Sequence, residues 1–307
     1  MQTITPENCI KTGIAATIGM FDGVHLGHRC VLSYLKELAT ARGLQTGVIT
    51  FSQHPQHVLH PNGDLRMLMT LEEKLAALAE TGIDYAIVLN FNMELAKLSA
   101  REFLQFIKRQ FSVNLLIVGY DHHFGHDRNL NFPDYQRIGA EIGVEVMQTP
   151  ELDCELGHIS SSVIRKLIDA GEVEKATERL SKPFKFAGEV VRGLQNGRKI
   201  NFPTANIDLF DKTIIVPANG VYAVWVYLDG KTYGGMLNIG VRPTIDDSGK
   251  KSIEVNIFDF DEDIYGHSIE VAVVKKLRDE RKMNGLEGLK TQLAIDKNNA
   301  IKTLKEI

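Results

Sequence analysis

From residue 14 to about 180 the chain alternates short apolar runs with amphipathic segments, the order that a parallel sheet flanked by helices requires. Strands are predicted at 14–18, 46–51, 85–89, 115–118 and 144–147. The helices between them have readable ends. Thr70-Leu71-Glu72-Glu73 and Ser99-Ala100-Arg101-Glu102 fit the capping box, in which a hydroxyl and a carboxylate satisfy free backbone donors reciprocally. Gly43, Gly82, Gly143 and Gly171 follow helical runs, where a left-handed residue is wanted. Near residue 180 the order changes: Ser181-Lys182-Pro183 ends a helical run, and strands then follow one another without long helices between them. The expected architecture is an α/β doubly wound domain with a parallel sheet, residues 1–182, followed by a small antiparallel β-barrel with a C-terminal helix, residues 183–307.

A chain of 307 residues is long enough for both domains to bury a core. A net charge of −4 argues against a general nucleic-acid binder, although a local basic patch remains able to hold a nucleotide. Cys9, Cys30 and Cys154 are widely spaced, odd in number and form no Cys-x-x-Cys pair, as expected of free thiols in a reducing compartment. No run approaches the ~18 apolar residues of a membrane span, and the N-terminus does not read as a signal peptide. The expected location is the cytoplasm, with no membrane partner.

Within the first domain the unusual polar clusters fall after strands, where ligands bind in open α/β sheets. The first is Gly19-Met20-Phe21-Asp22-Gly23-Val24-His25-Leu26-Gly27-His28, in which a strand meets a helix predicted from His28 to about Ala41, or from near Val24 or Leu26, a start that sets both imidazoles on one face. Helix N-termini attract anions, and His25 and His28 lie about one turn apart, suited to one phosphate. On spacing alone, a fortuitous pair or half of a zinc site stays open. Further clusters are Ser52-Gln53-His54-Pro55, the stretch from Tyr120 to Arg128, and Ser160-Ser161-Ser162 with Arg165 one turn into its helix. Serines at a helix start often only cap it, but an arginine fork so close suits a polyphosphate. Neither Gly-x-Gly-x-x-Gly nor Gly-x-x-x-x-Gly-Lys-[Ser/Thr] occurs, which disfavours a dinucleotide fold or a P-loop.

Gly19 to His28, Thr50-Phe51-Ser52-Gln53-His54-Pro55, Gly119-Tyr120-Asp121-His122-His123-Phe124-Gly125 and Ile159 to Arg165 together resemble the adenylyltransferase half of the prokaryotic bifunctional FAD synthetases, with the His-x-Gly-His signature standing as His25-Leu26-Gly27-His28. The resemblance implies transfer of AMP from ATP to the phosphate of FMN. It further implies that His28 stabilises the α-phosphate with help from His25, that Ser161, Ser162 and Arg165 hold the leaving pyrophosphate, and that Gly19, Phe21, Asp22, Gly23, His54, Asp121, Phe124, Arg128 and Ser160 line the nucleotide and flavin sites. Three positions depart from the family pattern: Ser52-Gln53 before His-Pro, His122 in place of an aromatic ring, and Asn129 after Arg128. A metal held by His122, His123 and His126 is the weaker alternative, since no cysteine is near.

In the second domain, strands are predicted at 186–192, 221–228, 233–240, 253–260 and 269–275, with turns at Asp229-Gly230 and Ser248-Gly249. A helix is predicted from about Leu286, with Leu286, Leu289 and Leu293 as its apolar stripe. Asn201-Phe202-Pro203-Thr204-Ala205-Asn206 reads locally as a Pro-containing loop after the glycine-rich, basic segment from Gly193 to Lys199. In Ile253-Glu254-Val255-Asn256-Ile257 the two polar residues share one face, which on a half-buried strand is ordinarily the solvated one. The run Asp259-Phe260-Asp261-Glu262-Asp263 reads as a solvated hairpin turn.

Gly193 to Asn206, Gly235 to Thr244 and Glu254 to Gly266, in that order, resemble the riboflavin kinase module of the same family, with Asn201 and Met283 as departures. The resemblance implies phosphorylation of riboflavin by ATP, with Glu254 as the base and with Thr204 and Asn206 as ligands of Mg²⁺. Gly193, Lys199, Pro203, Asn238 and Arg242 are implied nucleotide and flavin contacts. The implied small-molecule partners are riboflavin, FMN, FAD and ATP. Rival expectations are a monofunctional adenylyltransferase of another phosphate acceptor and a non-catalytic flavin-binding protein.

Overall fold

The structure is a computed structural model. It describes residues 1–7, 10–120, 124–127, 129–150, 156–193, 197, 202–241, 251–281, 283 and 285–306. The chain forms two compact units, one of Met1–Leu65 with Thr70–Ile159 and the other of Arg66–Met69 with Ser160–Ile307.

In the first unit, β1 (Gln2–Ile4), β2 (Ile14–Ile18), β3 (Gln45–Phe51), β4 (Tyr85–Leu89), β5 (Val113–Val118) and β6 (Glu145–Gln148) form a sheet in the order β1-β4-β3-β2-β5-β6. Every pairing in it is parallel. The connecting helices are α1 (Leu26–Arg42), α2 (Pro55–Leu59), α3 (Leu71–Ala79), α4 (Met93–Ala96), α5 (Ala100–Phe111) and α6 (Phe132–Ile142). Both capping boxes form, Thr70 with Glu73 on α3 and Ser99 with Glu102 on α5. Gly43, Gly82, Gly143 and Gly171 all take positive φ, as their places after helices demand. Ile14, Ala16 and Ile18 face Phe103, Leu104, Ile107 and Phe111 of α5 in one apolar core. Each such large side chain contributes on the order of 1.5–3 kcal/mol by burial. The sequence order turns back at β2: β3 and β4 lie to one side of it, β5 and β6 to the other. The crevice outside the β2 and β5 termini is therefore the topological switch point.

In the second unit, α7 (Ser161–Asp169) and α8 (Val173–Leu180) precede β7 (Phe184–Val191), β8 (Ala205–Leu209), β9 (Gly220–Leu228), β10 (Lys231–Val241), β11 (Lys251–Ile257) and β12 (Ser268–Arg278), with α9 (Gly285–Lys305) at the end. The strands close into a barrel, β10-β11-β8-β7-β12-β9, so no edge is left unpaired. Asp229 and Gly230 both take positive φ and join β9 to β10 in a tight hairpin, while the Ser248-Gly249 turn lies outside the described residues. One expectation fails at β8: the Pro203 segment runs straight into a strand, because Val255 and Glu254 of β11 and Val191 to Gly188 of β7 supply its pairing.

The predicted stripe of α9 is also corrected. Leu286 is exposed, and the face on the barrel carries Leu293, Asp296, Ala300 and Leu304 against Ala223, Met236 and Phe258. Asp296 is missed by an apolar pattern because its carboxylate is satisfied in place. It accepts from Nε of Arg278 at 3.0–3.1 Å, from Nη2 of Arg278 at 2.8 Å and from Gln292 at 2.8 Å. Breaking a buried ion pair from one side leaves an uncompensated charge, at a cost of about 3 kcal/mol or more. Trp225, the one tryptophan of the chain, packs against this cluster and reports on it. Asp296→Ala is expected to lower the urea midpoint read by Trp225 fluorescence by that equivalent; an unchanged midpoint would show that the pair does not hold α9.

Candidate active sites

The loop leaving β2 is bound to the sheet before it reaches α1. The Gly19 N–H donates to the Ile49 carbonyl at 3.0 Å, and the Thr50 hydroxyl donates to the Met20 carbonyl at 3.1 Å. Phe21 (φ 53°), Gly23 (φ 84°) and Val24 (φ 38°) then take left-handed backbone. For a buried β-branched valine this is a strained conformation, held only where the surroundings over-determine it. The helix starts at Leu26, one of the starts that sets both imidazoles on one face, and His25 itself is the cap: its Nδ1 accepts the His28 N–H at 3.3 Å. An accepting Nδ1 puts the proton of a neutral imidazole on Nε2. The two imidazoles stack at 3.6 Å between centroids and 18° between planes, with Phe21 4.9 Å from the His28 ring. Gly27 leaves room beside this stack, since a Cβ there would stand 3.2 Å from the His25 ring, close enough that the ring would have to give by a few tenths of an ångström. The first turn of α1 carries no acidic residue to compete for an anion.

The other strand-end residues divide by role. His54 caps α2 by accepting the Gln56 N–H at 3.1 Å, and Gln53 donates to the Phe91 carbonyl at 3.0 Å, joining the ends of β3 and β4. Phe124 is buried in the core, stacked on Tyr135 at 4.4 Å, with the Tyr135 hydroxyl donating to its carbonyl. Asp121 and Arg128 lie outside the described residues, as do His122 and His123. In the second unit Ser160 caps α7 by accepting from Val163, and Arg165 donates to the Ser162 hydroxyl at 3.2 Å. Ser161 opens the helix, whose first turn is also free of acidic residues. Among the described residues no group of three or more His, Cys, Asp or Glu is placed to hold a metal ion.

On the barrel, register does what spacing could not. Glu254 pairs with Asn206 on β8 and with Asn238 on β10, which sets three polar residues in a row across neighbouring strands. Thr204 donates to the Glu254 carboxylate at 3.1 Å. The face that carries Glu254 and Asn256 is not simply solvated: Asn256 is buried and donates to the Pro203 carbonyl at 2.7 Å, fixing the segment that presents Thr204. A cleft of about 510 Å³ opens beside it, lined by Pro203, Thr204, Val255, Phe260 and Tyr265 together with Asp261 to Asp263. The acidic run is thus a cleft wall. Gly193 approaches Asn206 so closely that a Cβ would collide with its carboxamide, 2.7 Å from Oδ1. Lys199 and Arg242 lie outside the described residues.

Residues 7–163 match the FAD synthetase family and residues 180–304 the riboflavin kinase family. The bifunctional riboflavin kinase/FMN adenylyltransferase of Bacillus subtilis is 36% identical over 97% of this chain and 95% of its own length. Those of Pseudomonas fluorescens and Escherichia coli K12 are each 38% identical, over 96% and 94% of this chain and 94% and 92% of their own. The chain belongs to the bifunctional riboflavin kinase/FMN adenylyltransferase family. A crystal structure described as a macrolide-efflux protein from Streptococcus pneumoniae is 30% identical to it, with a TM-score of 0.86 over 96% of this chain and 97% of that one. Among the described residues no helix is long and apolar enough to cross a membrane.

For a member of this family a divalent metal is implied, and the barrel residues fit one. Thr204, Asn206 and Glu254 offer hydroxyl, amide and carboxylate oxygens, the hard donors that Mg²⁺ selects. Two residues were not identified from sequence. Asn256 is hidden by the alternation of its strand, and Lys74 sits in the stripe Leu71, Lys74, Leu75, Leu78 of α3, where a charge at a core position is the available signal. Gly193→Ala is expected to displace Asn206 and depress riboflavin phosphorylation by at least about tenfold, with FMN adenylylation retained. Parental phosphorylation rates in Gly193→Ala would show that the close approach is dispensable.

Proposed function

We propose that the chain catalyses two consecutive reactions: residues 183–307 transfer the γ-phosphoryl group of ATP to riboflavin, giving FMN, and residues 1–182 transfer AMP from a second ATP to FMN, giving FAD and pyrophosphate. The division of donor sets supports this reading. Two imidazoles at a helix N-terminus without carboxylates stand at His25 and His28; a carboxylate beside hydroxyl and amide oxygens stands at Glu254.

In the adenylyl transfer, an FMN phosphate oxygen forms the bond to the α-phosphorus of ATP as the bond to the bridging oxygen of pyrophosphate breaks. The nucleophile is already an anion, so the step needs positioning and charge stabilisation and no general base. His28 and His25 donate to the α-phosphate, and Ser161, Ser162 and Arg165 hold the leaving pyrophosphate. Gly19, Phe21, Asp22, Gly23, His54, Asp121, Phe124, Arg128 and Ser160 complete the nucleotide and flavin sites, directly or by shaping the loops.

In the kinase reaction the nucleophile is a hydroxyl, which must lose a proton. Glu254 accepts it as the oxygen attacks the γ-phosphorus and ADP leaves. Thr204 and Asn206 would hold Mg²⁺, which would offset phosphate charge there. Gly193, Lys199, Pro203, Asn238 and Arg242 contact nucleotide or flavin. We place the protein in the cytoplasm, a location supported by the exposed, free Cys30 thiol.

Purified protein given riboflavin, ATP and Mg²⁺ is expected to yield both FMN and FAD; absence of both products would overturn the reading. His28→Ala is expected to stop FAD formation and spare FMN formation. Glu254→Ala is expected to stop phosphorylation and still convert supplied FMN to FAD. Loss of both activities in either folded variant would refute the assignment of separate sites.

A further inference from the structure

Asn256 is the penultimate residue of β11 and is 6% exposed, with Met236 of β10 beside it in register. A valine or leucine would fill that place without desolvating a carboxamide, and a buried amide is tolerated where it is hydrogen-bonded. Its Nδ2 donates to the Pro203 carbonyl at 2.7 Å. β11 itself gains nothing from this bond, because β10 already pairs with it along its whole length. What the bond fixes is the segment ahead of β8. The pairs between β11 and β8 are Glu254 with Asn206 and Val255 with Ala205, and β8 begins at Ala205. One step further the register sets Asn256 opposite Thr204 and Ile257 opposite Pro203, which has no N–H to give a rung. The Asn256 side chain stands in for that rung. Thr204 is thereby held on both sides, through the Pro203 carbonyl before it and through the pairing of Ala205 after it. Its hydroxyl donates at 3.1 Å to Glu254, which shares a face of β11 with Asn256. Further back, the Phe202 N–H donates to the Gly197 carbonyl at 3.0 Å, and Phe202 packs on the cluster of Ala223, Met236 and Phe258.

We propose that Asn256 is a positioning residue for riboflavin phosphorylation: its carboxamide holds the Pro203 carbonyl, and so sets the place of the Thr204 hydroxyl against the Glu254 carboxylate. The proposal rests on the assignment of Thr204 and Glu254 to that reaction. Asn256 acts in it through Pro203 and Thr204, with no contact to the reacting atoms. Its effect belongs on kcat, because displacing Thr204 disturbs the groups at the reacting hydroxyl and γ-phosphate more than it weakens binding of the flavin.

The test joins steady-state kinetics of both reactions in the full chain with amide hydrogen exchange, which needs neither substrate nor metal. Asn256→Leu, which keeps the shape of the side chain and removes the donor, is expected to lower kcat for riboflavin phosphorylation by about 10- to 100-fold, with KM for riboflavin within about threefold of the parent. FMN adenylylation by the same preparation is expected to stay within about twofold. Exchange of the amides at 204–206 is expected to speed up by at least about tenfold, while β9 and β12 keep parental rates. A bond that served only the stability of the barrel would loosen those strands as well. The Asn256→Leu, Thr204→Val double variant is expected to have the kcat of Thr204→Val alone, since Asn256 acts through Thr204. If Asn256→Leu does not fold, Asn256→Ala carries the same expectations. Parental kcat in the folded variant, a loss confined to KM, exchange that rises equally in β9 and β12, or a further loss in the double variant would each overturn the proposal. A parent enzyme that forms no FMN from riboflavin, or an unimpaired Thr204→Val, would overturn the underlying assignment, and the proposal with it.

Discussion

The parallel pairing of β2 with both β3 and β5 is the constraint on which the first unit depends. A central strand with successors on either side sends its outgoing loop into a gap between diverging connections, and there the backbone cannot simply continue as a ladder. The Gly19 and Met20 backbone is still tied to β3, but three of the next four residues take positive φ before α1 begins. The strain has a visible product. It turns the chain so that His25 becomes the cap of α1, and the cap bond fixes which nitrogen of a neutral His25 ring carries the proton. Sheet topology, loop strain and the protonation pattern of a side chain form one causal sequence.

The barrel reaches a comparable result through register. Because side chains alternate with a period of two, pairing Glu254 with both Asn206 and Asn238 puts all three on one face of the sheet, and a slip of one residue would scatter them. Closure makes such a slip costly, since every strand has two neighbours to satisfy. Asn256 and Gly193 add local constraints, one through the bond to Pro203 and the other by leaving space for Asn206. A segment that reads in isolation as a proline-containing loop becomes β8 because its neighbours supply the hydrogen bonds.

The same contrast explains which parts of the molecule are legible in the sequence. Elements fixed by local chemistry are read directly: the capping boxes at Thr70 and Ser99, the glycines after helices, and the Asp229-Gly230 hairpin each need only their own neighbours. Elements fixed by partners distant in sequence are misread. β8 lacks strand character of its own, and the stripe of α9 is displaced because Asp296 is paired with Arg278. The clusters of the first domain are legible from their places after strands, whereas the roles of Glu254, Thr204 and Asn206 come from motif resemblance, which carries long-range information that periodicity lacks. Lys74 and Asn256 escaped because helical and strand patterns assign charge and polarity to the surface, and only packing shows them buried.

The two proposed chemistries also account for where carboxylates stand. An FMN phosphate approaching ATP brings negative charge against negative charge, so a free carboxylate beside His25 and His28 would oppose the step. The stretch from Gly19 to His28 contains one acid, Asp22, and it is buried rather than offered to solvent. A riboflavin hydroxyl has the opposite need, a group to take its proton. There Glu254 stays partly accessible, with Thr204 donating to it and a cleft alongside the segment that carries Thr204. One chain thus screens a carboxylate where the nucleophile is an anion and presents one where the nucleophile is neutral, the arrangement that separate sites for two phosphate transfers require.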